Sequence, residues 1–168
     1  MNKDNVLVDA TGNALLCDFG LSRIRHECTR THTIIREGGR PRFLAPELSD
    51  GPEEFRTSAA SDIFSLSMTF LNVWTRELPF KECRDQKAGA KIRDGERPER
   101  PLIGIGLPPA MEQEFWVLVV KMWAHVAGDR PSSEDVQKRL ETIFNPVLEQ
   151  RKAAVMGLPN TRVRSIQA

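Results

Sequence analysis

An excess of charge of either sign is missing from this chain: 24 Lys and Arg stand against 23 Asp and Glu over 168 residues, so no global field draws it to nucleic acid or to an anionic membrane. Cysteine is scarce as well. Cys17, Cys28 and Cys83 are odd in number and widely spaced, and none sits in a Cys-x-x-Cys or Cys/His pattern able to hold zinc. They read as free thiols of a reducing compartment. Long apolar runs are lacking: MNKDNVLVD at the start has no signal-like segment, and FWVLVV at 115–120 is far too short to span a bilayer. The expectation is a cytoplasmic protein, with the nucleus left open, and no membrane or nucleic-acid partner.

What is present is the balance of a folded domain. Hydrophobic residues make up 40 % and charged residues 28 %, which places the chain with globular proteins rather than disordered ones and gives it enough material for one core. Short apolar runs at 6–8 and 14–17 flank DATGN, whose Asp, Gly and Asn carry turn chemistry, so a β-hairpin is predicted. From Leu21 to about Pro46 there is no periodicity, and Gly38, Gly39, Pro41 and Pro46 mark a long loop of the kind that is usually functional. From Ala59 to Thr75 apolar residues occur on every face and the polar ones are mostly small, which predicts a helix buried on most sides. Pro- and Gly-rich loops follow, ELPFKE and DGERPERPLIGIGLPP, then a second apolar helix from about Ala110 to His125. A third begins after GDRP, capped by Ser132 or Ser133, with Glu134 and Asp135 at its positive end. The tail from about Gly157 lacks apolar density and reads as frayed.

The hairpin raises a chemical question. Asn5 and Asp18 lie 13 positions apart with their midpoint between Thr11 and Gly12, so the two open ends meet, and antiparallel neighbours are roughly 5 Å apart at Cα. An amide oxygen and a carboxylate could converge there on Mg²⁺, which takes one or two protein carboxylates and leaves the remaining positions to substrate phosphates and water. The competing reading is that both residues simply flank turns, as Asn and Asp do in many proteins.

The residues that follow bear on that choice. Asp18-Phe19-Gly20, with Ala45-Pro46-Glu47 further on, resembles the protein kinase family, in which Asp-Phe-Gly binds metal and Ala-Pro-Glu closes the activation segment. Asn5 matches the second metal ligand of the kinase catalytic loop. SDIFSLSMTFLNVWTRELPF at 61–80 is similar to the buried central helix of the large lobe, and MWAHVAGDRPSSEDV at 122–136 to its closing helices. The resemblance covers 1–144, leaving 145–168 as a C-terminal extension. It implies an α+β, mainly α fold: a kinase-like large (C-terminal) lobe with a short β-hairpin and no small lobe. It also implies that Asp18 and Asn5 hold the Mg²⁺ ions of bound ATP, that Phe19 packs beneath the site, and that Glu47 pairs with Arg130. Asp62 would accept hydrogen bonds from the catalytic-loop backbone; otherwise it is a helix N-cap.

The family's catalytic loop reads His-Arg-Asp-x-x-x-x-Asn, so the base falls one position before Met1, and Asn2 stands where Ser/Thr members carry Lys. GIGLPP at 104–109 lacks the third glycine of a Gly-x-Gly-x-x-Gly loop, and no Val-Ala-Ile-Lys strand occurs. Gly39-Arg40 replaces the usual Gly-Thr. The expectations are a partial kinase domain, of Ser/Thr type resembling the tyrosine-kinase-like branch, acting on protein hydroxyls but inactive as these residues alone. An apolar face around 63–74 would then aggregate or need a protein partner. The alternative is a non-catalytic, pseudokinase-like interaction module. Six arginines, Arg23, Arg25, Arg30, Arg36, Arg40 and Arg42, face only Glu27 and Glu37 in the loop. They could order it around a phosphate on Thr29, Thr31 or Thr33, read acidic substrates, or form a solvated basic segment.

Overall fold

A computed structural model describes residues 6–10, 12, 14–17, 41–48 and 57–155. Strands β1 (Val6–Val8) and β2 (Ala14–Leu16) pair antiparallel, with Val6 opposite Leu16, Leu7 opposite Leu15 and Val8 opposite Ala14. Gly12 closes the turn: its N–H donates to the Asp9 carbonyl at 3.0 Å, and its φ of +91° favours a residue without Cβ. Every other described element is helical, as the mainly α fold class requires.

Helix α1 (Ala59–Thr75) begins where the polar sequence permits it. Ser58 is the N-cap, its hydroxyl accepting from the Ser61 N–H at 3.1 Å while the Ser61 hydroxyl accepts from the Ser58 N–H at 2.9 Å. The helix is buried on most sides because its small polar residues bond back to nearby carbonyls: Ser67 to Phe64 at 2.6 Å, Thr69 to Ser65 at 2.9 Å. Burial therefore leaves these hydroxyls satisfied. Arg76 ends the helix in a left-handed conformation.

Three further helices follow α1, the second of them packed directly against it. Helix α2 (Asp85–Arg93) buries only Ala88, Gly89 and Ile92. Helix α3 (Pro109–Met122) starts with proline at its first position, where no N–H is needed, and stops three residues short of the sequence expectation because Trp123 already leaves helical geometry. Helix α4 (Ser133–Val155) is capped by Ser132, whose hydroxyl accepts from the Asp135 N–H at 3.1 Å. It runs without a break past residue 144 and carries Pro146 inside it. No described helix is long and apolar enough to cross a membrane.

The core is centred on Phe64, Met68, Ile92, Val119 and Met122. A chain of tilted and edge-on aromatic pairs extends it: Phe70 and Trp74 each have their centroid 5.5 Å from Phe115, which lies 5.5 Å from Phe144. Two 3₁₀ turns, Pro41–Phe43 and Pro46–Leu48, pack onto this frame and bury Phe43, Ala45 and Leu48. They are the end of the segment that the sequence marks as a long loop.

Candidate functional site

Arg130 follows the 3₁₀ turn Ala127–Asp129, which aims its side chain at the second proline turn. Its Nη1 donates to Glu47 Oε1 and its Nη2 to Glu47 Oε2, both at 2.7 Å, and its remaining donors reach the carbonyls of Ala60, Ala124 and His125. The arginine side chain is wholly buried, which requires this full set of partners. Burial alone would push the Glu47 carboxyl up; the hydrogen bonds from Arg130 and from its own backbone N–H, with the Arg130 charge, outweigh it and hold the group below its ordinary value. Arg97 and Arg130 both lie 5.1 Å from the Phe64 ring centroid. Burial and the neighbouring Arg130 lower the Arg97 pKa. Arg97 is held in turn by the carbonyls of Trp123 and Ile92, each at 2.9 Å.

The first proline turn is fixed by a residue whose role the sequence concealed. Arg42, counted above among the loop arginines free to meet a phosphate or an acidic substrate, is buried. Its guanidinium donates to Asp85 Oδ1 at 2.5 Å, to the Pro79 and Phe80 carbonyls at 2.6 Å each, and to the Cys83 carbonyl. It is therefore removed from the basic set. Ser65 donates to the Phe43 carbonyl at 2.7 Å and ties the same turn to α1.

Asp62 lies one turn inside α1, so the N-cap alternative is corrected: Ser58 caps the helix. The Asp62 side chain has access to solvent yet stands among protein atoms, and that desolvation raises its pKa. Among the described residues its carboxylate has no hydrogen-bond partner. The residues expected to bind metal, Asn5 and Asp18, together with Phe19, Gly20 and the threonines Thr29, Thr31 and Thr33, lie outside the described residues. The structure thus brings Glu47 and Arg130 together.

An apolar cavity of about 820 Å³ opens between the C-terminal end of α1, the 103–105 loop, α3 and α4. Phe70, Trp74, Phe115 and Phe144 form its walls, and Trp74 is anchored by donating Nε1–H to the Ile103 carbonyl at 2.7 Å. Val73 and Ile103 remain largely exposed at its edge. Its lining is mainly apolar and aromatic, with Thr75 and Arg76 at the α1 end.

Arg97 and Asp85 gave no signal in the sequence, since each is one charge within a polar run. Arg42 gave a faint one: it stands between two residues that turn and bury, Pro41 and Phe43.

Comparison with known proteins gives a consistent picture. The family described as the protein kinase domain matches residues 1–140. A protein described as a probable serine/threonine-protein kinase of Dictyostelium discoideum is 30% identical over 137 residues, covering 81% of this chain and 14% of that protein. The dual specificity mitogen-activated protein kinase kinase hemipterous of Drosophila melanogaster is 30% identical over 157 residues, covering 93% of this chain and 12% of that protein. The rat serine/threonine-protein kinase TNNI3K is 27% identical over 141 residues, 84% of this chain and 16% of its own length. The chain thus spans well under a fifth of each of these relatives.

Proposed function

The chain belongs to the protein kinase family, and we propose that it is the metal-binding and substrate-docking part of an ATP-dependent kinase acting on protein serine and threonine hydroxyls. Asn5 and Asp18 hold Mg²⁺, which when bound offsets the charge of the nucleotide phosphates. The observation that carries this reading is the hairpin pairing of Val6 with Leu16, which keeps adjacent the two strand ends from which residues 5 and 18 lead out. The amide and carboxylate oxygens are donors suited to a hard cation.

The frame has a matching role. The Glu47–Arg130 fork fixes the Pro46–Leu48 turn to the helical body, so the floor on which a protein substrate lies does not drift during the reaction. The 168 residues contain the proposed metal ligands and the floor and hold no Gly-x-Gly-x-x-Gly sequence, so the transfer proposed is that of the kinase carrying them. The Ser/Thr reading draws support from the relatives described above.

A second reading, a non-catalytic module that docks another protein, is favoured by the exposed apolar cavity beside α1. The two part on one experiment: nucleotide binding by the chain with and without Mg²⁺, in wild type, Asn5→Ala and Asp18→Ala. Binding that needs Mg²⁺ and is lost in both variants supports the kinase reading. Binding indifferent to Mg²⁺ and to both substitutions overturns it. The apolar face predicts self-association of the purified chain; a monodisperse monomer with one cooperative melt contradicts that.

A further inference from the structure

Arg42 spends its guanidinium donors on parts of the chain far from it in sequence. Pro79, Phe80 and Cys83 offer carbonyls, and Asp85, the first residue of α2, offers a carboxylate. The charge-assisted bond to the carboxylate is stronger than a neutral one, and the carbonyls satisfy the remaining donors of the buried guanidinium. A second contact reinforces it. A Cβ placed on Gly89 would stand 3.0 Å from Pro41 Cβ, tighter than ordinary packing, so the α2 backbone rests directly on the turn. Asp85 and Gly89 are four residues apart and share one face of the helix. The turn Pro41–Phe43 is therefore gripped by α2 at two points one helical turn apart.

We infer that Arg42 is a positioning residue that makes the Pro41–Phe43 turn, the 79–83 loop and α2 one mechanical unit, so that floor and helix meet a polypeptide substrate as a single surface. The substrate part of this inference rests on the proposed function; the unit itself rests on geometry alone. Without Arg42 the carbonyls of Pro79, Phe80 and Cys83 lose their shared donor, and the turn is left with the Ser65 bond and packing.

Amide hydrogen exchange on the chain tests this, in wild type, Arg42→Met, Arg42→Lys and Asp85→Ala. The reporters are Leu44 N–H on Pro41, Cys83 N–H on Phe80 and Ala88 N–H on Arg84. In Arg42→Met all three quicken together by about tenfold or more while α3 is unchanged, since local opening follows cooperative units. Arg42→Lys, which keeps the charge but not the fork, falls between. If Arg42→Met fails to fold, Asp85→Ala decides, because Asp85 is half exposed and its loss leaves the core intact. Quickening at Leu44 in Asp85→Ala supports the unit. No change there, or quickening of Leu44 without Ala88, overturns it. In the kinase carrying these residues, Asp85→Ala raises KM for the protein substrate and leaves kcat within about twofold; a fall in kcat at constant KM overturns the substrate part. Should the wild-type kinase transfer no phosphate, the proposed function fails while the exchange result still decides the unit.

Discussion

Arg130 and Glu47, 83 residues apart, are joined by two parallel 2.7 Å hydrogen bonds, with the arginine side chain wholly buried and the glutamate mostly so. Removing one partner strands the other. Arg130→Met is expected to lower unfolding free energy by about 3–5 kcal/mol, the range for a broken buried pair. Glu47→Gln, which keeps an acceptor at the more exposed end, costs less. Denaturant midpoints at neutral pH check this, and a loss below about 1 kcal/mol for Arg130→Met, within the range of an exposed pair, contradicts it.

The same pair sets an acid limb. The folded Glu47 pKa is depressed below its ordinary 4.5, so its contribution is present above that pH and is lost as pH falls through the folded value. Stability measured from pH 7 to pH 3 should drop less steeply at the acid end in Glu47→Gln than in wild type. An unchanged slope contradicts the assignment. Asp62 moves the other way: its pKa is raised above 3.8, so its ionisation costs stability as pH climbs past that value. A carboxyl titration by NMR should place its midpoint above the ordinary aspartate value.

Gly89→Ala should destabilise, although alanine ordinarily strengthens a helix interior by up to about 1 kcal/mol. The added methyl meets Pro41 Cβ at 3.0 Å, and such overpacking costs about 1–3 kcal/mol. A raised melting temperature in this variant would mean that α2 and the turn are not in contact.

Ser58→Ala removes the cap of α1 and should cost about 1 kcal/mol, since the Ser61 N–H loses its acceptor. Ser58→Gly should cost only a few tenths. Equal losses in the two variants would place the effect outside the cap.

The sequence made α1 legible because Ser61, Ser65, Ser67 and Thr69 are small enough to bury among the apolar residues of SDIFSLSMTF, and its limits coincide with the structure. Helix α2 was not legible as a separate element: DQKAGAKIR is polar, has glycine at its centre and buries three residues, so it owes its place to packing on the Pro41–Phe43 turn rather than to propensity. Arg42 was misread for a related reason. An arginine in a basic loop looks solvated until carbonyls from residues 79–83, set by other elements, surround it. The Glu47–Arg130 pairing came from the family resemblance; spacing alone carries no hint of a contact across 83 residues.

That Asn5 and Asp18 serve a phosphoryl transfer is the central proposal. The most direct measurement is phosphate transfer from ATP to serine and threonine of a protein substrate by the protein that carries these residues, isolated as wild type and as Asp18→Ala. Mg²⁺-dependent transfer is expected in wild type and its loss in Asp18→Ala, with the fold of both unchanged. Transfer that survives Asp18→Ala, or a folded wild type that transfers none, would contradict it.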